Sequence, residues 1–302
     1  MLAIIAPGQG SQTPGMFNSW IADPSLKALL VSWSEAIGLD LLRLGTTADA
    51  EEIKDTANAQ PLIVASSLLG AHALGLKNFA VTSGHSVGEL AAAALSGAIS
   101  ESDALMIVRA RGIEMAKAAA ASPSGMSAVL GGDRTEVLAA IAGLKLVAAN
   151  DNGAGQIVAA GDLQALATLN ETPPAGARIR ALAVAGAFHT QFMQTAVEPL
   201  RALATTVATH PVSIQVVSNK DGQVVTDGAE VLNRIVNQIA NPVRWDLCME
   251  TLKSLGVTGV IELPPAGTLV GLLKRAASEI ETFALKSAED LDAAREFAGR
   301  HA

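Results

Sequence analysis

The chain opens on an unbroken apolar run, Met1-Leu2-Ala3-Ile4-Ile5-Ala6, which stops at Pro7-Gly8. A short run without alternation predicts a strand buried on both faces, as in a parallel sheet. Helical spacing follows over Ser25 to Glu35 and Glu51 to Thr56. Pro61 to Leu76 is apolar nearly all round, but His72 and two serines interrupt it. It predicts a buried helix, not a membrane span. Phe79 to Thr82 predicts a second strand. A helix then runs from near Val87 through Leu95, and a long amphipathic one from Glu101 to Ala120.

From Gly125 to Val184 the elements shorten. Met126 to Leu130, Leu144 to Ala149, Gln156 to Ala160 and Arg178 to Val184 predict strands. Thr135 to Ala142, and a stretch capped by Asp162 and ending at Leu169, predict helices, and Asn150 to Gly153 predicts a turn. The order βαββαβ is that of a ferredoxin-like unit. Beyond it, a helix is predicted after His189 through Thr206, a strand over Val212 to Val217, and helices over Gly228 to Ile239 and Arg244 to Leu255. A strand over Val257 to Leu263, a short helix and a strand over Thr282 to Leu285 are expected to close the fold. Alternating strands and helices on both sides of the inserted unit predict a mostly parallel α/β sheet.

Composition narrows the function classes. Of 302 residues, 50% are hydrophobic but only 3% aromatic, with no tyrosine, so Ala, Val, Leu and Gly must fill the core. The formal net charge of −8 argues against a general binder of nucleic acid or anionic membrane. The single cysteine, Cys248, cannot form an internal disulfide, and a reducing cytoplasm is the simple expectation.

The chemistry centres on Gly84-His85-Ser86-Val87-Gly88-Glu89-Leu90, which fits G-x-S-x-G at a strand-to-helix turn. Small residues are needed on both flanks, because a Cβ there clashes with the turn. The central Ser86 sits at a helix N-terminus, where free N–H groups and the helix dipole can receive negative charge. A serine needs a base, and the chain has five histidines. His301 lies at the chain end, expected to fray. His210 precedes a proline, His72 lies within a helix, and His85 should point away from its neighbour Ser86. Elimination leaves His189. No acidic residue after it stands out as a third triad member, so a backbone carbonyl could orient the ring. Arg109 and Arg111 lie on the following helix, and Gly112 is expected to leave room for a ligand beside Arg111. A guanidinium near the nucleophile would hold a carboxylate bidentately. The loop Pro7-Gly8-Gln9-Gly10-Ser11-Gln12 can bring backbone N–H groups to a ligand, but lacks the endings of phosphate- or dinucleotide-binding loops.

Five segments together resemble the malonyl-CoA:acyl carrier protein transacylase family, and actinobacterial members in particular. They are Pro7 to Gln12, Gly84 to Glu89, Arg109-Ala110-Arg111-Gly112, Ala187-Phe188-His189, and Asn241-Pro242-Val243-Arg244-Trp245, in family order across most of the chain. Two departures are Leu90, where some members carry an aromatic residue, and Leu263-Pro264-Pro265-Ala266-Gly267, which replaces a more glycine-rich turn. The resemblance implies an α/β-hydrolase-like parallel-sheet core, residues 1–122 and 187–302, with an inserted ferredoxin-like subdomain at 123–186.

It further implies that Ser86 is the nucleophile and His189 the base and acid. Gln9 and the N–H of Val87 would form the oxyanion hole, Arg111 would clamp the malonyl carboxylate, and the Gln238 carbonyl would orient His189. Phe188 would crowd an α-methyl branch on the substrate. Asn150 and Asn219 would support the site or contact pantetheine. Malonyl-CoA is then the substrate and acyl carrier protein the partner. No bound cofactor or metal is implied, and a monomer is expected. Lys220, Arg244, Lys274 and Arg275 are candidates for a basic patch facing an acidic carrier.

Two other classes compete. A serine esterase or thioesterase would use the same Ser–His pair but has no need of a cation in its acyl pocket. A non-catalytic docking protein would be free to lose Ser86, His189, Gln9 or Arg111, and all four are intact.

Overall fold

The computed structural model describes residues 1–302. The first core segment runs β1 (Leu2–Ala6), α1 (Pro24–Ile37), α2 (Leu41–Thr46), α3 (Ala50–Lys54), α4 (Thr56–Leu74), β2 (Val81–Gly84), α5 (Gly88–Leu95) and α6 (Glu101–Ala121). The next six elements are β3 (Ser124–Gly131), α7 (Arg134–Gly143), β4 (Val147–Asp151), β5 (Gln156–Asp162), α8 (Leu163–Glu171) and β6 (Ala177–Ala181). The chain then returns through α9 (Gln194–Ala204), β7 (Gln215–Val217), β8 (Val224–Val225), α10 (Gly228–Gln238), β9 (Val243–Arg244) and α11 (Trp245–Ser254). It ends with β10 (Gly259–Glu262), α12 (Thr268–Ala276), β11 (Glu281–Ala284) and α13 (Leu291–His301).

Six strands form the large sheet in the order β11-β10-β1-β2-β7-β8. All pairs are parallel except β7 with β8. All five residues of β1 are buried, as its unbroken apolar run requires of a central strand covered on both faces. The β1–β2 register pairs Ala6 with Gly84, so the loops after both strands leave the same edge side by side. Loops at the carboxyl ends of adjacent parallel strands are where α/β sheets build their sites. α4 buries 14 of its residues and packs along α6 behind this edge. No helix is long and apolar enough to cross a membrane.

The second sheet has the order β6-β3-β5-β4-β9. β3 to β6 pair antiparallel, as the βαββαβ order predicts, but β9 comes from the returning core segment and joins β4 in parallel. Strand ends differ from the sequence expectations. β2 begins at Val81 and reaches Gly84, β4 extends through Asn150 to Asp151, and β7 is confined to Gln215–Val217. β8 and β9, two residues each, carry no periodicity to read.

The expectation that β11 closes the fold is corrected. The chain continues into α13, whose Ala294, Phe297, Ala298 and His301 are buried on one face. His301 is therefore not frayed: its ring packs 4.6 Å from Phe297 and its Nδ1 lies 3.0 Å from Thr258 Oγ1.

Candidate active site

The elbow is fixed by backbone contacts that admit no side chain at its flanks. A Cβ on Gly84 would lie 2.0 Å from the Gly88 carbonyl carbon, and one on Gly88 would lie 2.3 Å from the Ala6 oxygen. Between them Ser86 takes φ 54°, a left-handed conformation that costs a non-glycine residue free energy. Asn219, one turn beyond β7, holds that conformation. Its Oδ1 accepts the Ser86 N–H at 2.7 Å, and its Nδ2 donates to the Gly84 carbonyl at 2.7 Å.

Ser86 Oγ lies 2.7 Å from His189 Nε2. His189 Nδ1 lies 2.8 Å from the Gln238 carbonyl, so the ring donates there and leaves Nε2 free to accept from serine. His189 itself adopts φ 61°, with its N–H donated to the Ile239 carbonyl. Burial, and next the Arg111 charge, push its pKa down to about 3, so the ring is neutral at ordinary pH. The orienting group is a main-chain carbonyl, not a carboxylate.

Arg111 is 1% exposed and forms no ion pair. Its Nη1 donates to Gln60 Oε1 at 2.6 Å and its Nη2 to Gln238 Oε1 at 3.2 Å, and Nη2 sits 3.4 Å from Ser86 Oγ. Nε has no partner. Burial lowers its pKa to about 10, which still leaves it cationic. The expectation for Gly112 is corrected: its missing side chain makes room for α4, not for a ligand. A Cβ there would meet Thr56 O at 2.9 Å and Ala57 Cα at 3.1 Å.

A cavity of about 230 Å³ joins these groups, with Gln9, Ser86, Arg111, Phe188, His189 and Asn150 in its wall. One side comes from the large sheet's edge and α12, the other from the small sheet. The N–H groups of Gln9 and Val87 take no partner within the chain. The Gln9 side chain donates to Thr56 Oγ1 and accepts from Gln60, which ties the glycine-rich loop to the Arg111 network. Asn219 is 0% exposed and is not in the cavity wall, so of its two expected roles the geometry leaves the supporting one. His85 points away from Ser86 as expected: its Nε2 lies 2.9 Å from Asn152 Oδ1 in the small sheet's β4–β5 turn.

The sequence did not single out Gln60, Asn152 or Glu89. Glu89 is 3% exposed on the first turn of α5. Its Oε1 accepts the Asn219 N–H at 2.7 Å, and its Oε2 accepts Gln238 Nε2. Burial raises its pKa to about 8, against the Asn219 N–H and the charges of Arg111 and Arg234, which favour the ionised form. Cys248, fully buried beneath the elbow, lies 3.5 Å from Asn219 Nδ2, and burial pushes its thiol far above the usual range. No group of three or more His, Cys, Asp or Glu side chains is placed to hold a metal ion.

Known proteins resemble this chain along nearly its whole length. The acyl transferase domain model matches residues 4–296. A malonyl CoA-acyl carrier protein transacylase of Mycobacterium tuberculosis is 52% identical over 297 residues, covering 97% of this chain and 98% of the relative. The crystal structure of MCAT from Mycobacterium tuberculosis superposes with a TM-score of 0.95 at 51% identity, covering 98% of this chain and 99% of that one. A malonyl-transacylase solved in complex with a type II PKS acyl-carrier protein superposes at 0.91 with 28% identity, covering 98% and 99%. On matches of this extent and depth, the chain belongs to the malonyl CoA-acyl carrier protein transacylase family, acyltransferases built on the acyl transferase domain.

Proposed function

We propose that this chain moves a malonyl group from malonyl-CoA to the phosphopantetheine thiol of an acyl carrier protein, through a malonyl ester on Ser86. His189 Nε2 takes the Ser86 proton as Oγ attacks the thioester carbonyl. The N–H groups of Val87 and Gln9 receive the oxyanion. Collapse breaks the C–S bond, and the imidazolium returns its proton to the departing CoA sulfur. The carrier's thiol then gives its proton to His189 and attacks the ester, and Ser86 recovers a proton as it leaves. The Gln238 carbonyl keeps the ring in the tautomer that both halves need.

Arg111 carries this reading. A buried guanidinium without a carboxylate partner is costly to keep in an acyl pocket unless the acyl group brings the anion. A malonyl group does, whereas the substrate of a plain esterase does not. Phe188 and Asn150 both line the cavity, which supports a role for Phe188 against an α-methyl branch and for Asn150 in pantetheine contact. Two carrier-facing candidates, Lys274 and Arg275, are exposed and unpaired on α12, whose Leu269 and Leu272 help line the cavity. Lys220 and Arg244 line a separate polar recess behind Gln238, where Arg244 is already paired with Asp246.

Intact-protein mass spectrometry after brief mixing with malonyl-CoA, followed by holo carrier, tests the proposal. The expected result is a malonyl adduct that is absent in Ser86→Ala and passes to the carrier. Free malonate and CoA with no adduct would mean a hydrolase. Neither adduct nor turnover would remove the catalytic reading.

A further inference from the structure

Glu89 occupies an odd place for an acidic residue in a helix's first turn. Such residues ordinarily sit in solvent and complement the dipole, whereas Glu89 is 3% exposed. Both its oxygens are used on groups that reach the active site. Oε1 holds the main chain of Asn219, whose side chain braces Ser86, and Oε2 holds the side-chain amide of Gln238.

That amide has two ends of nearly equal shape and opposite character. Its nitrogen faces two acceptors, Glu89 Oε2 and Asn219 Oδ1, the latter at 3.1 Å. Its oxygen faces Arg111 Nη2 at 3.2 Å. Both Glu89 oxygens face N–H donors, and Asn219 Oδ1 is fixed as an acceptor by the Ser86 N–H, so the nitrogen end is held on this side and the oxygen is left for the guanidinium. The same residue's main-chain carbonyl accepts from His189, so one residue serves both the base and the clamp.

We propose that Glu89 is a positioning residue that sets the orientation of the Gln238 side-chain amide, so that its oxygen holds the Arg111 guanidinium beside Ser86. The proposal rests on the acyl-transfer reading above. In Glu89→Gln the new amide must keep its oxygen toward the Asn219 N–H, which turns its NH₂ toward that of Gln238. Flipping Gln238 relieves that contact but presents an NH₂ to Arg111 and strips Asn219 Oδ1 of a donor. Arg111 then loses one of its two amide anchors, and only Gln60 remains.

The test measures acylation of Ser86 from malonyl-CoA and from acetyl-CoA by rapid-quench mass spectrometry. The proteins are wild type, Glu89→Gln, Gln238→Leu, the double variant and Arg111→Ala. Gln238→Leu keeps the main-chain carbonyl and removes only the amide. Glu89→Gln should lower the malonyl-to-acetyl ratio by about tenfold, the size of losing one hydrogen bond to a charged group. The ratio in the double variant should match Gln238→Leu within about twofold, because both changes act through one amide. A residue that only supported the fold would depress both acyl donors alike. An unchanged ratio in Glu89→Gln, or effects that multiply in the double variant, would overturn the proposal. Should Glu89→Gln fail to fold, an unchanged ratio in Gln238→Leu would overturn it as well, and a lowered one would support it. A wild type that forms no Ser86 adduct would instead remove the acyl-transfer reading, a failure visible before any variant is compared.

Discussion

Arg111 is where the energetics are least forgiving. With its Nη groups on two neutral amides and its Nε on nothing, the guanidinium is solvated by the protein but not neutralised. Arg111→Ala should therefore weaken malonyl transfer far more than acetyl transfer, lowering the ratio of initial rates by about 100-fold, the size of a charge-assisted contact. A ratio within about twofold of wild type would refute the clamp. The same charge acts on His189. With its pKa held near 3, His189 stays unprotonated as pH falls from 7.5 to 5.5, so Ser86 acylation should show no loss there. A free histidine would protonate near 6.5 and lose most of its base form by pH 5.5. Removing the Arg111 charge raises the His189 pKa, so the acid limb should move to higher pH in Arg111→Ala. A stopped-flow pH series on both proteins checks this.

Ser86 was singled out by the glycines around it, and Arg111 by the Arg109-Ala110-Arg111-Gly112 segment and the family resemblance, although the room expected beside Gly112 belongs to α4. The partners of Arg111 were not, since Gln60 and Gln238 lie 51 and 127 positions away and are neutral. Glu89 stood beside the elbow in plain view. Nothing in the local sequence marks it as buried; the packed structure does.

Among the elements, the strand-turn-helix of the elbow has the least tolerance. Gly88→Ala would push a methyl group into the backbone of the strand end at Ala6, where no rotamer change can relieve it. It should cost at least the roughly 1–3 kcal/mol typical of overpacking, together with most activity. Gly271, inside α12, is the contrasting case. A Cβ there meets nothing nearer than Arg275 Nη1 at 4.0 Å, so Gly271→Ala should stabilise by about 0.5–1 kcal/mol. Urea titrations of the two variants should move the midpoint in opposite directions.

Long helices were read well from sequence: α6 ends within a residue of its expected bounds, and α4 was recognised as a buried helix although it begins at Thr56, ahead of the expected Pro61. β8 and β9 were not, because two-residue strands exist only through their partners. α13 was a different kind of miss. Its stripe of Ala294, Phe297, Ala298 and His301 has helical spacing, and the expectation of a frayed end hid it.

At the scale of the whole molecule, the cavity is walled by two sheets whose contact is specific. β9 pairs with β4 through Asn150–Val243 and Asp151–Arg244, and Arg134 of α7 reaches Asp246 of α11 at 4.0 Å. His85, next to the nucleophile, reaches Asn152 across the same seam. The sequence indicated both sheets but not this seam, because β9 arrives from far along the chain. Overall charge belongs to this scale too. At −8 the chain should repel an acidic carrier except where unpaired cations gather. Lys274→Glu combined with Arg275→Glu should raise KM for the carrier about tenfold or more and flatten its salt dependence, with acylation by malonyl-CoA nearly unchanged. Equal effects on both half-reactions would place the carrier elsewhere.

The burial of Cys248 has a practical consequence. The chain's one thiol lies out of solvent and resists ionisation, so a thiol-reactive dye added to the folded protein meets only sulfur from outside it. Release of CoA in the acylation half-reaction, with no carrier present, can then be followed by colour without a background from the protein. Cysteines introduced on the surface would be the only labelled positions, so a fluorophore pair, one on each sheet, is simple to build.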